Sequence, residues 1–183
     1  MTDFEAFLVL RMRGRELLDL QRLDLTNDEL RRKSDAATRH WHFDSIGHEA
    51  DAYSEAIGPP IFEEEIDSSD VSEDFKGSLM RRYRLCLWPQ VLFCVCRHPW
   101  GFAWGLSFIE DSMSVSSQVQ LPVPEPWKTT LLAIENNAIR MKLIESWNYE
   151  TDLLVTWGQI GAEAEYMAQF DYGLLQKWEQ ITG

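Results

Sequence analysis

Residues 44–75 carry eleven acidic side chains and no lysine or arginine, and residues 76–109 carry five basic side chains and no acid. Like charges packed into one segment repel, so the first stretch must either stay in water or lie against cations. Its acids are Asp44, Glu49, Asp51, Glu55, Glu63, Glu64, Glu65, Asp67, Asp70, Glu73 and Asp74; the bases that follow are Lys76, Arg81, Arg82, Arg84 and Arg97. Residues 1–43 are balanced and residues 110–183 are again acidic, for a net charge of −13 over 183 residues. This balance points to a cationic protein partner and away from nucleic acid.

Hydrophobic periodicity sets the fold class. Thr2-x-x-Glu5 and Thr26-x-x-Glu29 are capping boxes, each opening a helical pattern, the second from Asn27 to about Arg39. His48 to Ala56 reads as one short helix, broken by Gly58-Pro59-Pro60. Glu63 to Asp74 is polar and rich in serine, with Val71 and Phe75 as its few apolar anchors, and reads as a solvated loop. From Met80 the period becomes 2. Tyr83, Leu85 and Leu87 alternate with Arg82, Arg84 and Cys86, and Val91 to Arg97 is nearly continuous apolar sequence. His98-Pro99-Trp100-Gly101 has proline and glycine where a tight turn wants them. Strands are then expected at Phe102–Phe108, Met113–Leu121, Ile139–Leu143 and Leu153–Trp157, the last two joined across Asn148-Tyr149, with a short helix from Trp127 to about Asn136. Met167, Phe170, Leu174, Trp178 and Ile181 fall on one helical stripe. The expectation is a single α+β domain over 1–183. Its centre is an antiparallel meander of about five or six strands, flanked by N-terminal helices and a C-terminal helix.

Three candidate sites follow. His40-x-His42 resembles the start of the His-x-His-x-Asp-His run of metallo-β-lactamase-like hydrolases, but three residues separate Asp44 from His48 where that run has none. Surface histidines beside an acidic segment are the simpler reading. Cys94, Cys96 and His98 alternate on one strand face, as a ligand set or a nucleophile pair would, yet cysteine among Val91, Phe93 and Val95 is more simply core. Trp100-Gly101-Phe102-Ala103-Trp104-Gly105 could grip a partner, or form the inner face of a sheet; the inner face is the preferred reading. Asp67 to Asp74 lacks the pattern of an EF-hand loop, and no phosphate loop, dinucleotide fingerprint, Gly-x-Ser-x-Gly or His-Glu-x-x-His occurs.

The acidic block is therefore the leading site. One alternative is that it folds back on the Arg81, Arg82, Arg84 and Arg97 stretch. What argues for a partner is the complete absence of bases, since a solvated segment with no task usually mixes signs. The expected function is a non-enzymatic inhibitor of immunity type, neutralising a basic protein such as a nuclease toxin. Its surface would be Asp44, Glu49, Asp51, Glu55, Glu63, Glu64, Glu65, Asp67 and Asp70, with Trp41 or Tyr53 as desolvated anchor. An adaptor binding through the aromatic strand, or a His/Cys-dependent metal enzyme, are the alternatives. No cofactor, metal or membrane is expected, and three unpatterned cysteines (Cys86, Cys94 and Cys96) with no leader-like start fit the cytoplasm.

Overall fold

The computed structural model describes residues 1–12, 25–42, 49–67, 69, 72–111, 124–147, 152–159 and 165–181. The chain divides into two compact units, Met1–Leu106 and Ser107–Gly183. It is an α+β protein with antiparallel sheets. No helix among the described residues is long and apolar enough to cross a membrane.

In the first unit the helices are α1 (Asp3–Arg11), α2 (Asn27–Trp41) and α3 (Asp51–Ile57). Both expected capping boxes form. Thr2 and Thr26 each accept the N–H of the glutamate three residues on, and that glutamate accepts the threonine N–H in return. The two boxes differ in surroundings. Glu29 is only partly buried, and the Thr26 backbone and hydroxyl hold its carboxyl below the usual range. Glu5 is fully buried and splits its oxygens, Oε2 accepting from Thr2 N–H and Oε1 from Leu87 N–H, each at 2.7 Å. One carboxylate thus caps a helix and ties it to a connection between strands 82 residues on.

The first sheet has the order β1-β2-β3-β4, formed by Phe62–Glu65, Leu79–Arg84, Val91–Arg97 and Ala103–Glu110, the last strand running past Leu106. β1 corrects the expectation of a solvated loop over Glu63–Asp74. The glutamates enter the sheet because their register sets Glu63 opposite Arg81 and Phe62 opposite Arg82. The continuous apolar run of β3 is buried from Val91 to Val95, as a central strand requires. Phe4, Tyr53 and Phe93 meet edge to face or tilted, with centroids 5.5–6.1 Å apart, and knit α1, α3 and β3 into one core. Gly58, at a φ of 110°, ends α3 where the Gly-Pro-Pro break was expected.

The second unit contains α4 (Leu131–Asn137) and a second four-stranded antiparallel meander, β5 (Ala138–Trp147), β6 (Asp152–Gln159), β7 (Glu165–Asp171) and β8 (Leu174–Ile181). The strands therefore divide between two sheets rather than forming one. The C-terminal helix is also corrected to a hairpin. Tyr172 and Gly173 both have positive φ, 51° and 73°, the geometry of a two-residue reversal that matches strand twist. Asp171 and Leu174 pair across it. The helical stripe misled because Phe170 belongs equally to the alternation Tyr166, Ala168, Phe170; Ala168 and Phe170 join Ile134 and Leu175 in a buried cluster. Met113–Leu121 and the Asn148-Tyr149 turn lie outside the described residues.

The two capping boxes make a paired experiment. Glu5→Ala leaves two backbone N–H groups without their acceptor in a buried place and should cost about 2–3 kcal/mol in urea unfolding. Glu29→Ala, with water at hand, should cost clearly less. Equal losses would show that Glu5 does no more than cap its helix.

Candidate functional site

The acidic segment does not stand apart from the arginines. Asp51, the first residue of α3, accepts from Arg81 Nη1 at 2.5 Å and lies 3.6 Å from Arg97 Nε. Glu63 on β1 accepts from Arg81 Nε, also at 2.5 Å. Glu64 accepts from Arg82, whose guanidinium sits 4.9 Å over the Phe62 ring. Burial alone would lower the Arg81 pKa; the hydrogen bonds it donates to Asp51 and Glu63 outweigh that and raise it instead. Arg81 in turn holds the Asp51 carboxyl below its usual range, against a smaller opposing effect of burial. Three of the proposed partner-facing acids are thus engaged within the unit, as the fold-back alternative has it.

The others are placed differently. Glu49, Glu55, Glu65 and Asp67 are exposed, as is Asp74 outside that set, and among the described residues no lysine or arginine pairs with them. Asp67 accepts from the Ser69 N–H and hydroxyl. Glu73 pairs with Lys76. Asp44, Asp70 and His48 lie outside the described residues. Tyr53, expected as an anchor, is 1% exposed and belongs to the core, because α3 turns it onto Phe4 and Phe93. Trp41 ends α2 half-buried, its ring edge-on to His40.

The anchor-like side chain is another tryptophan. Trp100 is 86% exposed, more than any other large apolar residue described. It sits at the third position of a turn in which Gly101 N–H donates to His98 C=O at 2.8 Å, with Pro99 second and Gly101, at a φ of 96°, fourth. The acidic segment grips this turn from two sides. Ala50 N–H donates to Gly101 C=O, and Glu49 bridges Phe102. On the other side His98, 4% exposed, reaches the Asp74 carbonyl through Nε2 at 2.7 Å. His98 Nδ1 accepts the Trp100 N–H at 3.1 Å, so the ring proton is on Nε2, which donates to Asp74. Phe102 stacks on the His98 ring at 4.4 Å and Phe75 meets it edge-on. The aromatic run is thus split: Phe102 and Trp104 are half-buried, Trp104 Nε1 donating to Ser78, while Trp100 points out. The aromatic alternation places the whole run on an inner face, and the structure lifts Trp100 out of it. The missed signal is the turn itself, whose third residue has no strand to pack on.

The Cys94-Cys96-His98 alternation is a different environment. Cys94 is 1% exposed, and burial pushes its thiol up to about 12 and that of Cys96 up to about 11. Neither supplies a thiolate near neutral pH. His40 and His42 lie at the end of α2, His42 in the left-handed region at a φ of 54°. Among the described residues no three His, Cys, Asp or Glu side chains are grouped as a metal site needs. Compared with protein-family models, with curated proteins and with solved structures, the chain matches none of them, so its function is argued from its own residues.

Two outcomes are expected. A thiol reagent at neutral pH should label Cys86, which is exposed, at once, and Cys94 only as the protein unfolds; fast labelling of Cys94 would contradict the buried strand. The second outcome concerns acid. The folded-state pKa of Asp51 is depressed, so its contribution is full at neutral pH and is lost as pH falls through that lowered value. With Asp51 more than half exposed the contribution is at most about 1 kcal/mol. Asp51→Asn should remove it and flatten stability against pH on the acid side, measured by urea unfolding.

Proposed function

We propose that this chain binds and neutralises a cationic protein, as an immunity-type inhibitor of a basic enzyme such as a nuclease toxin would. The observation that carries the reading is Trp100, 86% exposed on a turn held between two parts of the acidic segment. A large, rigid aromatic at the centre with acids around it matches how interfaces divide labour: the aromatic is desolvated and slows dissociation, while the charges speed encounter. Glu49 and Asp74 flank the turn through their backbone contacts, and Glu65 lies two strands away, opposite Leu79, which pairs with Arg97. The acids bound to Arg81 and Arg82 hold the fold; Glu49, Glu55, Glu65, Asp67 and Asp74 supply the field.

An adaptor binding through apolar contact would also use Trp100, and salt separates the two readings. Binding kinetics should be followed with the protein captured from source cells, using wild type, Trp100→Ala and the combined Glu49→Gln, Glu55→Gln, Glu65→Gln, Asp67→Asn variant. For an electrostatic inhibitor the combined variant and added salt slow association by about tenfold or more, while Trp100→Ala mainly speeds dissociation. Association indifferent to salt and to the combined variant, with Trp100→Ala still disruptive, supports the adaptor. Binding unaffected by Trp100→Ala removes the anchor and this reading with it.

A further inference from the structure

We propose that His98 is a proton-sensitive latch on the Trp100 turn, holding the turn closed with one ring proton and releasing it with two. The proposal rests on the Trp100 turn being the binding face, and adds how that face is regulated. The imidazole makes two hydrogen bonds of opposite sense: Nδ1 accepts the Trp100 N–H at 3.1 Å, and Nε2 donates to the Asp74 carbonyl at 2.7 Å. A second proton has only Nδ1 to go to, where it meets the Trp100 N–H head-on. The Asp74 bond survives that change and the Trp100 bond does not. The backbone bonds of the hairpin, His98 N–H to Phe102 C=O and Gly101 N–H to His98 C=O, both at 2.8 Å, use no ring atom. The tip that carries Trp100 is therefore released while the strands below it stay paired.

The surroundings of the ring do not compensate a positive charge. His98 is 4% exposed, with Phe102 stacked on it at 4.4 Å, Trp100 at 4.9 Å and Phe75 edge-on at 5.5 Å. Aromatic faces attract a cation, but they do not replace the acceptor that Nδ1 ceases to be. The charged and titratable groups on the elements around it are turned elsewhere. Asp74 offers the ring its carbonyl, and its carboxylate is in no ion pair with the ring. Glu73 and Lys76 pair with one another. Arg97 faces Asp51, and its Nη2 lies 3.9 Å from the place a Gly101 side chain would take, which sets a cation beside the turn. Glu49 is bridged to Phe102 through the backbone. The Cys96 thiol, two residues back on β3, is pushed up to about 11 and stays neutral. A buried charge without an anion is costly. The closed turn thus holds fewer protons than the open one, and acid favours opening.

The test uses the free chain, followed by nuclear magnetic resonance from about pH 8 to about pH 5, the range in which an imidazole ordinarily changes charge. The exchange protection factor of the Trp100 amide, corrected for the intrinsic effect of pH, should fall about tenfold as the His98 ring nitrogens report the second proton, the loss of one hydrogen bond. His98→Asn puts an amide oxygen where Nδ1 stands and has no proton to gain, so protection should stay level across the range. His98→Gln puts its amide where Nε2 stands, so Trp100 should be weakly protected throughout. Should both variants fail to fold, the ring nitrogens and the Trp100 amide of the unaltered chain decide. A ring proton on Nδ1 at the alkaline end, no second proton at the acid end, level protection while that proton arrives, or an equal fall in His98→Asn would each overturn the latch. Partner binding untouched by Trp100→Ala would instead remove the binding face and leave the latch standing.

Discussion

One guanidinium organises the first unit. Arg81 lies on β2 and takes Asp51 from α3 on one nitrogen and Glu63 from β1 on another. Without a cation there, Asp51 of α3 and Glu63 of β1 would lose the base they share, a loss that their exposure keeps to about 1 kcal/mol each or less. The uneven charge along the chain is therefore a folding instruction. An acid-only segment cannot pair with itself, so it searches for the base-only segment next to it, and an antiparallel register satisfies both.

The same arrangement explains why charge alone was a poor guide to the binding face. Eleven acids without a base point to a partner for nine of them, Asp44 through Asp70. Asp51, Glu63 and Glu64 are engaged by arginines, while Glu49, Glu55, Glu65 and Asp67 face water without one among the described residues. The fold-back also delivers the tryptophan. By bridging Phe102 from Glu49 and holding His98 from Asp74, the acidic segment fixes a turn that would otherwise be a bare hairpin tip.

What was legible followed from local chemistry. Both capping boxes, the Gly58 stop, the alternation of β2 and the apolar run of β3 needed only their own few residues to be read. What was hidden depended on partners far along the chain. Phe62-Glu63-Glu64-Glu65 has no strand pattern of its own and becomes a strand because Arg81 and Arg82 stand opposite. Residues 165–181 satisfy two periods at once, and the decision lies in the backbone of Tyr172-Gly173, where a tyrosine accepts a left-handed conformation. Tyr53 looked like a partner's anchor because the sequence shows its acidic neighbours and not the rings of Phe4 and Phe93.

Glu5 has a bearing on the order of events in folding. Its two oxygens join Thr2 to Leu87, residues at opposite ends of the first unit, and the second of those bonds spans 82 positions. Closing so long a loop is entropically slow, so the carboxylate caps α1 early and finds Leu87 only once β2 and β3 have met. The opening of the first helix is thereby tied to the β2–β3 connection in which Leu87 lies.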